Sequence, residues 1–307
     1  MNAAGVLDEL GLDGAAYAAP VQGGRGLGFN QNAPVAPASV MKVQVALATE
    51  TLIARGELDG RMRVQLRHDG RTPGPVGISL MRDDVEMSVR DLVVAMLTIS
   101  DNAATDELIA VVGLDEVNRI VSELGLGHTV ITADLRQTLD AVARDAGFRD
   151  YQALVAHQPS SDGRPSDAEI RQAISGAQAL DPRHGTRTTA FETVTLLQAL
   201  WTDQFPPQAC QNIRSAMSKQ LVKTRIASGF DGSVSVAAKS GGLLGVVRNE
   251  AGVVTYADGH SYAVAVFTRK GPENATDPVE IDQAIGRIAR ILVDQLRNPT
   301  KSTGEPD

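Results

Sequence analysis

Hydrophobic positions alternate with small or polar ones near both ends of the chain and follow a helical period between them. Near the amino end, "AAYAAPV" and "RGLGFN" read as two strands of a hairpin around "QGG". From "SVMKVQVALATETLIAR" onward apolar residues recur every three or four positions, with glycines such as Gly56, Gly113 and Gly125 separating the segments. Past Gly229 strand character returns in "SVSVAAKS", "GVVRNEAGVVTY" and "SYAVAVFTR", and "PVEIDQAIGRIARILVDQLR" follows as a helix.

This order predicts an α/β fold of the α+β kind. An antiparallel sheet would be built from strands at both ends of the chain and covered by helices, with a mostly helical lobe inserted between the strands. We expect one domain over residues 1–307, in which 1–38 and 222–307 form the sheet lobe and 39–221 the helical lobe. Residues 134–186 are polar, helical only in patches and broken by "HQPSSDGRPS", so we expect an elaborated loop there.

Composition and charge exclude several classes of partner. The 307 residues are 43% hydrophobic and carry a net charge of −8. The acidic residues are scattered among basic ones rather than grouped in one segment, which argues against nucleic acid or an anionic membrane as a partner. One cysteine and five histidines at no metal-ligand spacing predict no disulfide, no metal and no cofactor. We therefore expect a small-molecule substrate and a monomer or weak dimer.

The amino-terminal segment "MNAAGVLDELGLDG" lacks the basic start and the continuous apolar stretch that export requires. No apolar run approaches the length of a membrane-spanning helix. We expect a cytoplasmic protein, or a secreted one if a leader has been removed.

The first candidate for chemistry is a serine three positions before a lysine. In "APASVMKVQV", Ser39 precedes Lys42 where a loop gives way to a long apolar run. If Ser39 opens a helix, both side chains share a face, and free N–H groups at the helix start can stabilise a negative charge beside the serine. The alternative is a serine N-cap followed by a solvated lysine. To act as a base, Lys42 needs its pKa lowered from about 10.4, which burial and a second nearby lysine would do.

Two later segments make the catalytic interpretation more specific. Residues 100–102, Ser-Asp-Asn, stand at a break between two helical segments, and residues 239–241, Lys-Ser-Gly, end a strand. Taken singly, the first is typical of a capped turn and the second of a hairpin with an exposed lysine. Together with Ser-x-x-Lys, and in this order, they form a set of catalytic motifs.

With these three motifs the chain resembles the class A β-lactamase and penicillin-binding-protein superfamily of serine hydrolases. The resemblance runs from about Gly23 to the last helix and includes "VRDLVVAMLTISDNAATDELI", "TRTTAFETVTLL" and "KSGGLLGVVRNEAGVV". It implies a β-lactamase-like fold and an acyl-enzyme mechanism on a substrate that carries a carboxylate.

The resemblance also implies a role for each matching residue. Ser39 would be the nucleophile, Lys42 its base or proton shuttle, and Ser100 the relay that passes a proton to the leaving group. The backbone N–H groups of Ser39 and Gly242 would form the oxyanion hole. Lys239 would position Ser100 and attract a substrate carboxylate, and Ser240 would hydrogen-bond that carboxylate. Asn102 would hold the substrate amide. Gly241 and Arg248 would also contact the substrate.

The chain departs from class A β-lactamases in the segment that releases the acyl group. The Glu-x-x-Leu-Asn motif is missing, and after "GHTV" the chain reads "ITADLRQTL" without a glutamate. Asp167 or Glu169, in "SDAEIRQAIS", is a candidate for a relocated carboxylate that orients water. The alternative is that both acids belong to the start of a helix at Ser166.

The sequence therefore predicts a serine hydrolase, acylated at Ser39, that hydrolyses a β-lactam or a related carboxylate-bearing amide or ester. Two alternatives follow from the missing glutamate. One is an esterase with weak or no lactamase activity. The other is a penicillin-binding sensor that is acylated without turnover.

Overall fold

Strands from both ends of the chain form one five-stranded antiparallel sheet. The computed structural model describes residues 2–157 and 166–298. The strands of the sheet are β1 Leu12–Pro20, β2 Leu27–Phe29, β5 Ser235–Leu243, β6 Val247–Thr255 and β7 Ser261–Lys270, while β3 Arg63–Leu66 and β4 Val85–Ser88 pair as a separate hairpin. The order in the sheet is β2-β1-β7-β6-β5, which places β5 at one edge. The predicted sheet is confirmed.

The first and last strands meet along their whole length. Leu12 pairs with Lys270 and Pro20 pairs with Tyr262. Successive side chains point to opposite faces of this sheet. As a result Phe267 packs in the larger core beneath the helices that follow β2, and its neighbour Val266 packs in the core beneath the last helix.

Helices cover both faces of the sheet. They are α1 Gly5–Asp8, α2 Lys42–Arg55, α3 Val89–Thr98, α4 Asn102–Val112, α5 Leu114–Ser122, α6 Leu135–Asp145, α7 Tyr151–Val155, α8 Asp167–Gly176, α9 Ala190–Trp201, α10 Pro207–Ser218 and α11 Pro278–Arg297. Short 3-10 turns lie at Ala38–Met41, Gly77–Leu80, Gln178–Leu180 and Ile226–Gly229. Gly56 ends α2 in the left-handed conformation, as its position in the sequence predicts. None of the helices described is long and apolar enough to cross a membrane.

The stretch at 134–186 corrects the expectation of an elaborated loop. Most of its described part forms α6, α7 and α8, capped by the side chains of Asp134, Asp150 and Ser166. These helices bury their own apolar cluster, in which Val142 and Ile174 pack with residues at the start of β6. Most of "HQPSSDGRPS" lies outside the described residues. The helical patches expected there are present as α6 and α8, but the polar composition gave no sign that they pack together.

Candidate active site

The candidate nucleophile lies on the 3-10 turn that leads into α2. The α-helix begins only at Lys42, and Ser39 stands one turn earlier, half-buried. Its hydroxyl makes no hydrogen bond to any described residue, so the interpretation of Ser39 as a side-chain N-cap is wrong. Ala38, directly before it, has a left-handed φ of +49°, which costs about 1–3 kcal/mol for a residue with a side chain. Packing around the turn must therefore hold the serine in place.

Two residues of the sheet hold this turn from below. The side-chain amide of Asn249, buried on β6, donates to the carbonyl oxygens of Ala36 (2.9 Å) and Pro37 (3.1 Å). Gly241 on β5 lies so close that an added Cβ would sit 2.6 Å from the Pro37 oxygen and 3.2 Å from the Ser39 nitrogen. Only glycine allows the edge strand and the serine turn to approach in this way. The contact brings the two predicted oxyanion donors, on Ser39 and Gly242, to the same cavity.

Lys42 is fully buried and its amine points at the break between α3 and α4. Its Nζ donates to the Ser100 carbonyl (2.6 Å), to the Ser100 hydroxyl (3.2 Å) and to Asn102 Oδ1 (2.8 Å). Burial lowers the pKa of Lys42 to about 7, against the opposing charges of Asp101 and Asp106. A lysine with a pKa in this range is partly neutral near pH 7, whereas an ordinary lysine is almost fully charged. No hydrogen bond joins Lys42 to the Ser39 hydroxyl in this structure.

Lys239 reaches the same serine from the edge of the sheet. Its Nζ donates to the Ser100 hydroxyl (2.9 Å) and to the Ser240 carbonyl (2.7 Å). Burial, and then the charge of Lys42, hold the pKa of Lys239 well below its usual range. A hydroxyl has two acceptor sites and one donor, and both acceptor sites of Ser100 are used by lysines. With both lysines donating, the one proton of the Ser100 hydroxyl is available to a third group.

The break that presents Ser100 is built by its neighbours. Ser100 itself has a left-handed φ of +64°, and Asp101 caps α4 by accepting from the Ala104 nitrogen at 3.0 Å. The other carboxylate oxygen of Asp101 accepts from the Ile78 nitrogen. Asn102 Nδ2 donates to the Pro73 carbonyl (2.9 Å), so its amide is fixed at both ends.

Ser240 sits on a buried polar network that the motifs do not include. Its backbone N–H donates to the Gln220 side chain, which in turn donates to Glu250 Oε1 at 3.0 Å. The other oxygen of Glu250 accepts from the Ile226 nitrogen at 2.6 Å, and burial raises the pKa of Glu250. The Ser240 hydroxyl has no hydrogen-bond partner among the described residues. In the sequence, the one indication of this network was an acid, Glu250, in the middle of a predicted strand.

Arg248 is already paired. Its Nε and Nη2 donate to the two oxygens of Asp282 on α11 at 2.7 and 2.9 Å. Buried Arg225 donates to the same carboxylate at 2.8 Å. Asp282 therefore neutralises part of the positive charge of Arg248, the residue that the sequence resemblance implies for binding a substrate carboxylate.

The cavity beside Ser39 is small and mostly apolar. It measures about 50 Å³, which leaves room for a few water molecules. Its lining includes the leucines Leu135, Leu139, Leu180 and Leu243 together with Ser39, Thr138, Asn102 and Gly242. No carboxylate of the described residues lines it.

The two acids proposed to replace the missing glutamate do not reach this cavity. Asp167 and Glu169 are exposed at the start of α8. Glu169 Oε2 accepts from the Ser166 nitrogen at 2.7 Å and forms a capping box with it. The helix-start interpretation of these acids is therefore the one that the structure supports.

A different acid, missed in the sequence, fixes the wall of the cavity. Asp106 on α4 accepts from the backbone nitrogens of Leu135 (2.8 Å) and Arg136 (2.9 Å) and from the Thr72 hydroxyl (2.7 Å). Burial raises the pKa of Asp106. The carboxylate thus ties the first turn of α6 to the helix that carries Asn102.

Comparisons with known proteins match nearly the whole chain. The sequence profile of the beta-lactamase enzyme family matches residues 5–296. The beta-lactamase regulatory protein BlaB of Streptomyces cacaoi is 29% identical, over 95% of each chain. The crystal structure of a beta-lactamase from Sphaerobacter thermophilus is 25% identical, covers 97% of each chain and has a TM-score of 0.73. A mutant of PBP-A, solved as an acyl-enzyme complex with penicillin G, is 18% identical, covers 96% of each chain and has a TM-score of 0.72.

Proposed function

Because the chain belongs to the beta-lactamase enzyme family, we propose that it is a serine acyl-transfer protein, acylated at Ser39 by an activated ester or a β-lactam, that releases the acyl group slowly. One observation carries the proposal. Two buried lysines, Lys42 with a pKa of about 7 and Lys239, both donate to the Ser100 hydroxyl. Lys42 lies one helical turn after Ser39, whose hydroxyl makes no hydrogen bond to any described residue.

Acylation uses the residues in a fixed order. The Ser39 hydroxyl turns toward Lys42 and gives its proton to the neutral amine while Oγ bonds to the carbonyl carbon of the substrate. The carbonyl oxygen becomes an oxyanion beside the backbone N–H groups of Ser39 and Gly242. The bond to the leaving atom then breaks, Ser100 donates its proton to that atom, and the Lys42 ammonium returns a proton to Ser100.

Slow release follows from the wall beside Ser39. Hydrolysis of the acyl-serine needs a water molecule and a group that takes its proton. The cavity offers leucines and Thr138 at this place, and no carboxylate among the described residues. The Streptomyces cacaoi relative bears the name of a regulatory protein, which supports a role for the acylated state as a signal.

A second candidate is a hydrolase with full turnover. The neutral amine of Lys42 favours it, since the same base that accepts the Ser39 proton can accept one from water afterwards.

Intact mass spectrometry tests the proposal. The protein is mixed with benzylpenicillin, a chromogenic cephalosporin and p-nitrophenyl acetate, and its mass is followed from seconds to hours. We expect one adduct per chain on the peptide containing Ser39, outlasting a stoichiometric burst of product. Steady turnover with no lasting adduct would support the hydrolase instead. An adduct that persists in Ser39→Ala, or a folded protein that gains no mass and releases no product, would contradict both candidates.

A further inference from the structure

A buried acid lies beside Ser240, on the neighbouring strand. Glu250 on β6 is the direct partner of Ser240 on β5 in the antiparallel pairing, and only 1% of its surface is exposed. Carboxylates are seldom buried in proteins unless hydrogen bonds or opposite charges stabilise them. An acid this close to a candidate catalytic residue must therefore be held by specific partners.

Gln220 links this acid to the backbone of Ser240. The orientation of its amide is determined, because Nε2 donates to the Val222 carbonyl (3.0 Å) and to Glu250 Oε1 (3.0 Å), while Oε1 accepts from the Ser240 nitrogen. The second oxygen of Glu250 accepts from the Ile226 nitrogen at 2.6 Å. Burial raises the pKa of Glu250, and these two N–H donors oppose that effect. Hydrogen bonds from N–H groups to both oxygens favour the ionised form of the acid.

The charged groups nearest to Glu250 are basic. Lys239 is fully buried, and burial, followed by the charge of Lys42, lowers its pKa. The charge of Glu250 acts in the opposite direction and favours the ammonium form of Lys239. Arg225 also acts on both groups, but it is paired with Asp282 at 2.8 Å. The negative charge of Glu250 is therefore available to balance Lys239.

Lys239 is the cation in the best position to attract a substrate carboxylate. Its amine donates to the Ser100 hydroxyl at 2.9 Å, so it lies at the proton relay itself. Arg248, the other basic residue implied for this purpose, already donates to both oxygens of Asp282. The charge on Lys239 therefore decides how strongly the site attracts an anion.

We propose that Glu250 is a positioning residue that supplies the counter-charge of Lys239 and anchors the Ser240 backbone. The anchor runs through Gln220. With Lys239 held in the ammonium form, a substrate that carries a carboxylate acylates Ser39 faster than a matched uncharged substrate. The inference rests on the proposed function, because it concerns the rate at which Ser39 is acylated.

A pair of esters with the same acyl group tests the inference. They are 3-acetoxybenzoate, which carries a carboxylate, and methyl 3-acetoxybenzoate, its uncharged counterpart. In both reactions Ser39 Oγ takes the acetyl group, the ester carbon–oxygen bond breaks and the departing oxygen leaves with a proton. The burst of phenol release gives a second-order rate constant for each ester, and the ratio of the two constants is the preference for charge.

We expect the parent to prefer the charged ester, and Glu250→Gln to lower that preference by about tenfold, since one charge a few Å from another changes its energy by this order. The intrinsic reactivities of the two esters cancel when the ratios of two proteins are compared. A residue with a merely structural role would slow both esters equally and leave the ratio unchanged. Thermal unfolding checks that the variant is folded.

The matched control is Glu50→Gln. Glu50 on α2 is also a buried acid, 4% exposed, and it accepts from the Asn212 amide at 2.8 Å. This variant should keep the parent's ratio. Gln220→Met breaks the link to Ser240 but leaves the charge of Glu250 in place, so both esters should react more slowly while the ratio stays close to the parent's.

Several results would overturn the inference while Ser39 is still acylated. They are a parent ratio near one, a folded Glu250→Gln with the parent's ratio, and an equal loss of the ratio in Glu50→Gln. If Glu250→Gln does not fold, Gln220→Met decides: parent-like rates, or a collapsed ratio, contradict the inference. Failure of both esters and of benzylpenicillin to acylate Ser39 is a distinct result, which overturns the proposed function as well.

Discussion

In the proposed mechanism Lys42 sets the pH at which Ser39 reacts, because only its neutral amine can accept the serine proton. Burial lowers the pKa of Lys42 to about 7, so the neutral fraction rises with pH and levels off above about pH 8. The acylation rate should therefore increase about tenfold per pH unit below pH 7 and reach a plateau above pH 8. The burst phase with p-nitrophenyl acetate from pH 5.5 to 9 measures this, after subtraction of the rate seen with Ser39→Ala.

The matched variants are Lys42→Met and Lys42→Arg. Both should slow acylation by about 10²–10⁴-fold and abolish the rise near pH 7, because neither side chain can accept a proton. Thermal unfolding checks that each variant is folded, and Lys42→Met avoids placing a larger cation in the buried site. A parent profile that is flat between pH 6 and 8 would contradict the role of Lys42 as the base.

Gly241 matters because of what an extra carbon would touch. In Gly241→Ala the new Cβ would press on the carbonyl of Pro37 and the nitrogen of Ser39, so the turn and one oxyanion donor must move. Loss of one such donor costs about 10²–10³-fold in rate, and we expect acylation to slow by that order. Gly232→Ala, whose Cβ meets nothing within 4 Å, is the control and should react like the parent. Equal rates for the two variants, measured by the adduct mass over time, would refute this arrangement.

The residues that converge on Ser100 were predictable because each belongs to a short motif. Local sequence places Lys42, Asn102 and Lys239. In the structure Lys42 and Lys239 donate to the Ser100 hydroxyl, and Asn102 accepts from Lys42. Gln220 and Glu250 belong to no motif, since their partners lie far away in the chain. The pairing of Arg248 with Asp282 was hidden for the same reason.

At the scale of elements, the proposed slow release of the acyl group depends on helix α6. Thr138 lines the cavity beside Ser39 and is half-buried. In Thr138→Glu a carboxylate at this place can take a proton from water, so the acyl-enzyme should hydrolyse at least tenfold faster than in the parent. The lifetime of the adduct after removal of free benzylpenicillin measures this.

Gln137→Glu adds the same charge one residue earlier, at an exposed position of α6. It should leave the lifetime of the adduct unchanged. If both variants shorten that lifetime equally, net charge rather than position is responsible, and the apolar wall does not limit release.

Helices α6 to α8 also show a kind of packing that sequence patterns do not predict. The helix start at Ser166 was predicted, the caps Asp134 and Asp150 were not, and the apolar positions are few and are spread among polar ones. What makes the stretch a packed layer is contact with β6, a strand that comes about a hundred residues later. Periodicity within a segment carries no information about such a partner.

At the scale of the whole molecule, Asp282 ties the last helix to the sheet. Burial acts to raise the pKa of Asp282, but the hydrogen bond from Arg248 and the charge of Arg225 hold this pKa below its usual value. Asp282→Asn leaves buried Arg225 without its ion-pair partner, and the free energy of unfolding should fall by about 3–5 kcal/mol. Urea denaturation at pH 7 measures the loss.

The control is Asp294→Asn, which breaks the exposed pair with Arg290 on the same helix and should cost less than about 1 kcal/mol. Because the pKa of Asp282 is lowered on folding, its contribution is present at neutral pH and disappears as the pH falls below 4. The difference between the parent and Asp282→Asn should narrow in that range. If Asp282→Asn lowers the free energy of unfolding as little as the control does, the buried ion pair contributes little to stability.

The pairing of Leu12 with Lys270 has a consequence for the newly made chain. Ribosomes add about 5–20 residues per second, so β1 waits on the order of ten to fifty seconds before its partner strand β7 has been synthesised. Lys239 and Gly241 are also translated late, long after Ser39. Under the proposed function, an acylating compound present during synthesis therefore meets a serine that lacks Lys239 and Gly241 until the protein is nearly complete.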